Sequence, residues 1–333
     1  MLEHWAYWTL TMGLAPALTA DHAASVFVEP DKNAAEQAIA PSLTDPSTEI
    51  LALDEERNQR LTVPVLIDGA GPFNFMIDTG SQATAVTHEI NASLGLNPLG
   101  TATLVGMAST RPVDIVEVET LKVGSYEVFD LVAPVLSRTN VGADGIIGLD
   151  SLQDFRVLID FRDESIAVED MSNKKSNRRG FEIVVRAKQE LGQLLITDAI
   201  VEGVKATVII DTGAQASLAN TALKERIRAK RAQEVVTTDV NGVSLTGDLA
   251  YVRSLTIEGL SLRNVPLAFA DAPAFEALGL KDTPVLSLGM QHLKMFDRVA
   301  IDFANRRILF DVPRDVAREM RRARQPGLRA NFN

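Results

Sequence analysis

Two Asp-Thr-Gly triplets are the residues of this sequence whose types and spacing could do chemistry. They begin at Asp78 and Asp211, and each is followed by a small residue, Gln and Ala. Two carboxyl groups a few ångströms apart cannot both ionise, so they share one proton. The ionised member can accept a proton from water while the protonated member donates one to a carbonyl oxygen. The pair is therefore predicted to activate water for the hydrolysis of peptide bonds.

The residues beside the two aspartates suit this role. An apolar run ending in isoleucine precedes each triplet, which predicts that a strand positions each carboxyl group. The glycines permit a sharp turn that brings N–H groups toward the carboxylate, and the threonine hydroxyls could bond between the two loops. The predicted supporting residues are Thr79, Gly80 and Ser81 in the first loop and Thr212, Gly213 and Ala214 in the second.

The triplets belong to an internal duplication. LTVPVLIDGAGPFNFMIDTGSQA in the first half matches LLITDAIVEGVKATVIIDTGAQA in the second, and GIIGLDSLQDFRVLIDF later matches LSLGMQHLKMFDRVAIDF. The two aspartates are 133 residues apart, whereas Gly148 and Gly289 of the later segments are 141 apart. The second half therefore carries an insertion, which we place at 222–245.

Short runs rich in Val, Ile, Leu and Thr recur at the spacing expected of β-sandwiches and barrels. Helical segments are few, and the clearest follow the triplets at 87–96 and 221–230. The pattern predicts an all-β protein, mainly strands with few short helices, built as two similar β-barrel-like lobes related by a pseudo-twofold axis. In the first half, strands are predicted at 61–67, 73–77, 113–123, 126–132, 155–160 and 165–168.

The chain divides into six predicted segments. Its N-terminus contains an uncharged stretch that is typical of a signal peptide, although no Lys or Arg precedes it. This stretch favours export, and a cytoplasmic location stays open. The segments are an N-terminal signal or hydrophobic segment at 1–24, a flexible lead-in at 25–59, the N-terminal lobe at 60–170, a polar linker at 171–180, the C-terminal lobe at 181–311 and a basic tail at 312–333.

Composition argues against several classes of function. The 333 residues carry a formal net charge of −11, so a nucleic-acid partner is not expected. Without cysteine there is no thiol catalysis, and the four histidines form no close pair of the kind that zinc hydrolases use. No metal or cofactor is predicted. The expected partner is a peptide or protein substrate, with membrane contact only through the N-terminus.

On these motifs the chain resembles the retropepsin-like and pepsin-like aspartic proteases. The matching residues are an apolar pair followed by DTG and a small residue in each half, and the apolar-Gly segments ending at Gly148 and Gly289. The LGL at 94–96 is similar to the bacterial branch. The resemblance implies an aspartic endopeptidase in which one chain supplies both Asp78 and Asp211 and is active as a monomer. With the N-terminal stretch, it implies a bacterial periplasm or envelope.

Two departures from the family pattern stand out. Ser287 occupies the place of Ile146 in the first half, which makes the second segment less apolar. The segments expected to form flaps, 103–112 and 238–247, contain no Tyr. Each could equally be an ordinary surface hairpin. The flap candidates are Gly106, Met107, Ala108, Asn241, Gly242 and Val243.

Two other functions fit parts of the sequence. A non-catalytic protein of the same fold could bind peptides or partners, and only geometry can separate it from an enzyme. Actin-like kinases and ATPases also have duplicated halves with an Asp-x-Gly after a strand. They need halves rich in βα units and Gly-rich phosphate loops, however, whereas SQATAV and AQASLA follow the triplets here.

Overall fold

The computed structural model describes residues 25–28, 48–52, 54–55, 61–171, 181, 183–190, 192–230, 233–258, 260–314 and 316–318. The predictions for 1–24, for 172–180 of the linker and for the end of the basic tail lie outside the described residues.

Strands dominate the first half of the described chain. The strands are β1 (Ser25–Val28), β2 (Thr48–Ala52), β3 (Asp54–Glu55), β4 (Leu61–Ile67), β5 (Ala70–Ile77), β6 (Ala85–Thr87), β7 (Pro98–Val105), β8 (Thr110–Val123), β9 (Tyr126–Leu136), β10 (Gly145–Ile147), β11 (Phe155–Asp160) and β12 (Ser165–Asp170). The helices are α1 (His88–Leu94), α2 (Arg138–Val141) and a 3-10 turn at Leu149–Ser151.

The second half repeats this order. Its strands are β13 (Ile183–Arg186), β14 (Lys188–Glu190), β15 (Gln193–Val201), β16 (Val204–Ile210), β17 (Leu218–Ala219), β18 (Gln233–Thr238), β19 (Ser244–Ile257), β20 (Leu260–Phe269), β21 (Val285–Leu288), β22 (Arg298–Asp302) and β23 (Arg307–Asp311). Its helices are α3 (Thr221–Ile227), α4 (Pro273–Ala277) and α5 (Met290–Leu293). None of the helices in the described residues has the length and apolar character to cross a membrane.

Each lobe is built on one large sheet, and the two sheets share their central topology. The N-terminal sheet runs β3-β4-β5-β10-β6-β9-β8-β7, and the C-terminal sheet runs β1-β20-β17-β21-β16-β15-β19-β18, with β14 on β15. In the first sheet β10 lies parallel to β5, and in the second β21 lies parallel to β16. The duplication seen in the sequence is therefore a duplication of the fold.

A third sheet joins the lobes. Its order is β13-β23-β22-β11-β12-β2, so strands from both halves meet at its centre. There β11 and β22 pair antiparallel, with Leu158 opposite Ala300. These two strands are equivalent in the repeat, as expected where a pseudo-twofold axis relates the halves.

The predicted all-β class with two similar barrel-like lobes is confirmed, and the predicted strands at 61–67 and 155–160 match β4 and β11 in their bounds. The lead-in differs from the expectation, because β1, β2 and β3 lie within 25–59 and pair with β20, β12 and β4. Unpaired sheet edges offer backbone groups to any nearby extended segment, whatever its side chains. The short helices and sheet-dominated halves do not fit the βα-rich halves of an actin-like kinase.

Candidate active site

Each aspartate follows a strand whose last three residues are buried on both faces. The last three residues of β5 are at most 2% exposed, and the last three of β16 at most 4%. Strands covered on both sides read as continuous apolar runs, which is why an unbroken run precedes each triplet. The backbone N–H of Asp78 donates to Ile147 O at 3.0 Å, and that of Asp211 to Leu288 O at 3.1 Å. The neighbouring parallel strand therefore fixes the start of each loop.

Both carboxyl groups are buried and held by backbone donors. Asp78 is 0% exposed and Asp211 3%. Asp78 Oδ1 accepts bonds from the backbone N of Gly80 at 2.7 Å and of Ser81 at 3.1 Å. Asp211 Oδ1 accepts the equivalent bonds from Gly213 at 3.1 Å and Ala214 at 2.9 Å. The supporting loop residues thus orient the two carboxyl groups in the same way.

The two loops face each other so closely that each glycine touches the opposite carboxyl group. A Cβ added to Gly80 would lie 2.8 Å from Asp211 Oδ1, nearer than real Cβ contacts come. A Cβ added to Gly213 would overlap the carboxyl group of Asp78. The structure therefore brings the two predicted catalytic residues together, although they are 133 positions apart in the sequence.

The threonines of the triplets lock the loops together. Thr79 N donates to Thr212 Oγ1 at 3.0 Å, and Thr212 N to Thr79 Oγ1 at 3.2 Å. Each hydroxyl in turn donates to the other lobe, Thr79 to Ile210 O and Thr212 to Ile77 O, both at 2.8 Å. Buried hydrogen bonds of this kind stabilise by about 1 kcal/mol each. This exchange fixes the distance between the lobes at the site.

Behind the first loop, a buried hydroxyl bonds to a carboxylate. Thr84 Oγ1 donates to Asp150 Oδ1 at 2.7 Å and accepts the backbone N–H of Gly148 at 3.2 Å. Burial raises the pKa of Asp150, while the bonds from Thr84 and Ser151 oppose that rise. Asp150 therefore supports the first loop from behind through Thr84.

Behind the second loop, the equivalent hydroxyl bonds to a histidine. Ser217 Oγ accepts the backbone N–H of Gly289 at 2.9 Å and lies 2.6 Å from His292 Nδ1. Burial lowers the pKa of His292 to about 4. His292 is therefore neutral near pH 7 and packs behind the Asp211 loop as an uncharged side chain.

We expect His292 to make the fold sensitive to acid. The pKa of His292 is near 6.5 in the unfolded chain and lower in the folded chain. The contribution of His292 to the free energy of unfolding is therefore fully present above pH 6.5 and is lost as the pH drops toward 4. Between pH 7 and pH 4, protonation of His292 should lower the free energy of unfolding by about 3 kcal/mol. Urea unfolding at pH 7 and pH 4 should show a smaller loss in His292→Gln than in the native chain. His88→Gln, at an exposed helix residue, is the control, and an equal acid loss in all three proteins would refute the assignment.

Ser287 makes a contact that sequence reasoning did not foresee. Its hydroxyl donates to Asp211 Oδ2 at 2.9 Å, and the residue is 2% exposed. The sequence showed only that Ser287 replaces Ile146. The signal in the sequence that could have indicated this contact is a polar residue at an apolar repeat position, in the segment that packs behind the second Asp-Thr-Gly loop.

The predicted flap residues lie at the tips of two hairpins. Strands β7 and β8 form a hairpin with its tip at 106–109, and β18 and β19 form another with its tip at 239–243. The tips cross between the lobes. Met107 is buried in a C-terminal cluster with Ile209, and Val240 is buried in an N-terminal cluster with Met76. Both clusters therefore include the strand residue two positions before Asp78 or Asp211.

Asp239, which sequence analysis did not single out, joins the two tips. Its Oδ2 accepts bonds from Ser109 Oγ at 2.7 Å and Ala108 N at 3.2 Å in the other hairpin. Its Oδ1 accepts bonds from Asn241 N at 2.9 Å and Val243 N at 3.0 Å in its own. Asp239 is 1% exposed. One buried carboxylate thus holds both tips closed.

Replacing Asp239 by Ala should loosen both tips. Hydrogen bonds to charged groups are worth more than neutral ones, so we expect amide hydrogen exchange at 106–109 and 239–243 to accelerate at least about tenfold. Mass spectrometry of peptides from the two tips measures this. Asp198→Ala, at an exposed ion pair with Lys205, should leave tip exchange unchanged. Unaltered exchange in the Asp239 variant would show that apolar packing alone closes the tips.

Both lobes match a known protein family. A family model described as aspartyl protease matches residues 63–151 and 197–291, more than half of the chain and one stretch from each lobe. Each stretch contains one triplet. A search of curated proteins found no match. Within the described residues, no group of three or more His, Asp or Glu side chains is arranged to hold a metal ion.

Proposed function

Because the chain belongs to the aspartyl protease family, we propose that it is an endopeptidase whose catalytic residues are Asp78 and Asp211. The observation that carries this proposal is the reciprocal approach of the two loops, in which Gly80 lies against Asp211 and Gly213 against Asp78. A non-catalytic binding protein would not need two buried carboxyl groups facing each other, because burying like charges costs free energy.

The chemistry follows from a pair that holds one proton. The carboxylate takes a proton from water, the water oxygen bonds to the peptide carbonyl carbon, and the protonated carboxyl gives its proton to the carbonyl oxygen. The tetrahedral diol then loses a hydroxyl proton to the newly formed carboxylate. The amide nitrogen takes the other proton, the C–N bond breaks, and the pair again holds one proton. No cofactor takes part in these steps.

The closed hairpins suit a site that must exclude bulk water. Electrostatic interactions are stronger in a water-excluded site, and both tips lie across the lobes that carry the loops. Asp78 and Asp211 are at most 3% exposed, so a peptide must displace part of their cover, and we propose that the two tips are the part that moves. Opening and closing of the hairpins is therefore a step of the proposed cycle.

A pH–rate profile on a peptide library tests the function. A pair that works with one proton bound gives a bell-shaped profile, whose acid limb reports the first ionisation and whose alkaline limb the second. An inhibitor that mimics the tetrahedral intermediate should abolish cleavage, and a metal chelator should leave it intact. A rate that rises steadily to pH 10, or sensitivity to the chelator, would contradict the proposal.

The proposed enzyme acts as a monomer on peptide or protein substrates, since one chain carries both loops. Light scattering at assay concentration, together with a rate that is linear in enzyme concentration, tests this. The uncharged stretch at 5–20 supports export to a bacterial periplasm or envelope. Cell fractionation with an antibody against the chain tests that location.

A further inference from the structure

Ser287 makes the two carboxyl sites unequal. It lies in β21 opposite Ile209, two residues before Asp211, and the equivalent pair in the other lobe is Ile146 opposite Met76. The fold is otherwise repeated at these strands. One lobe therefore has a buried hydroxyl at a position where the other has a hydrocarbon side chain.

The hydroxyl donates to the Asp211 oxygen that does not accept the backbone bonds of its own loop. Ser287 Oγ lies 2.9 Å from Asp211 Oδ2. The backbone bonds from Gly213 and Ala214 reach Oδ1 of the same group. Because Asp78 Oδ1 receives the equivalent backbone bonds, those bonds favour both carboxylates alike. The hydroxyl of Ser287 adds a third hydrogen bond to Asp211, and the side chain of Ile146, at the equivalent position of the other lobe, has no donor to offer Asp78.

A donor to a carboxylate favours its ionised form, and charge-assisted hydrogen bonds are about twice as strong as neutral ones. The titratable group facing Asp211 is Asp78, across Gly80. Strand β21 adds the Ser287 hydroxyl and apolar side chains, and α5 behind the loop carries His292, which is neutral near pH 7. When two like groups share one proton, a modest difference between the sites decides which holds it.

We propose that Ser287 is a positioning residue that makes Asp211 the ionised member and Asp78 the protonated member of the pair. This assignment rests on the proposed function. Asp211 then takes the proton from water, the water oxygen bonds to the carbonyl carbon, and the proton of Asp78 passes to the carbonyl oxygen. The order of proton transfers is thereby set before substrate arrives.

Replacing Ser287 by Ala removes the donor and makes the second site resemble the first. Ionisation of the pair becomes harder, so the acid limb of the kcat profile should move to higher pH by about one unit. Ser287→Thr retains the hydroxyl and should restore the native limb. Ser93→Ala removes a hydroxyl that donates to Ile90 O in helix α1, away from both loops, and the acid limb of this variant should stay in place.

A second measurement does not depend on activity. Carbon-13 spectra of the aspartate carboxyl groups, assigned with Asp78→Asn and Asp211→Asn, follow each ionisation in the native chain. Asp211 should ionise at lower pH than Asp78, and Ser287→Ala should abolish or reverse that order. This spectrum of the native chain decides the question even if the Ala variant does not fold.

The two proposals fail separately. If the chain cleaves no peptide, the proposed function fails, and the carboxyl spectra still test the assignment. If the chain cleaves peptides with a bell-shaped profile but Asp78 ionises first, the assignment of Ser287 alone is overturned. The same conclusion follows if the acid limb of an active Ser287→Ala enzyme matches the native limb.

Discussion

Replacing Asp78 or Asp211 by Asn should reduce peptide hydrolysis by at least about a thousandfold, because each carboxyl group transfers protons that an amide cannot transfer. The fold should survive the change. The Oδ1 of Asn can still accept the two backbone bonds that hold each carboxyl group. The thermal midpoint of each variant should therefore stay close to that of the native chain.

Steady-state kcat on a peptide that the native chain cleaves measures the effect. Asp198→Asn, in an exposed ion pair with Lys205, is the matched control and should keep native activity. Full activity in Asp211→Asn would show that the second loop is structural and that the first loop works by pairing with another copy of the chain.

Replacing Gly213 by Ala should abolish most peptide hydrolysis, although both proposed catalytic aspartates stay in the chain. The new Cβ would overlap the Asp78 carboxyl, so either that carboxyl group or the loop must move. Displacing a reacting group by about 1 Å costs about a hundredfold in rate, and overpacking a buried site costs about 1–3 kcal/mol in stability. We expect both losses in this variant.

Gly203→Ala is the control that separates the effect of a steric overlap from the effect of backbone strain. Gly203 has a φ of +83° with nothing within 4 Å of an added Cβ, so this variant carries strain and no clash. It should lose about 1 kcal/mol of stability and keep native kcat. Equal activity in the Gly213→Ala enzyme and the native enzyme would mean that the two loops lie further apart in solution than they do here.

The sequence by itself identified Asp78 and Asp211 as the candidate site residues and predicted the duplicated, mainly β lobes that carry them. Each triplet follows an apolar run, which predicted two strands that end just before Asp78 and Asp211. The repeat predicted that these strands have equivalent neighbours. Local periodicity and repeated spacing carry this information, because strand patterns and turn residues act over short stretches of chain. The helices after the triplets were predictable for the same reason.

Only the tertiary structure decided which distant residues complete the site. The bond from Ser287 to Asp211 spans 76 positions, and the bond from Ser109 to Asp239 spans 130. The crossing of Met107 and Val240 between lobes and the pairing of β1, β2 and β3 also depend on contacts between remote segments. Such contacts leave no period in the sequence, because a buried carboxylate or hydroxyl is satisfied by whichever donor or acceptor the folded chain brings to it.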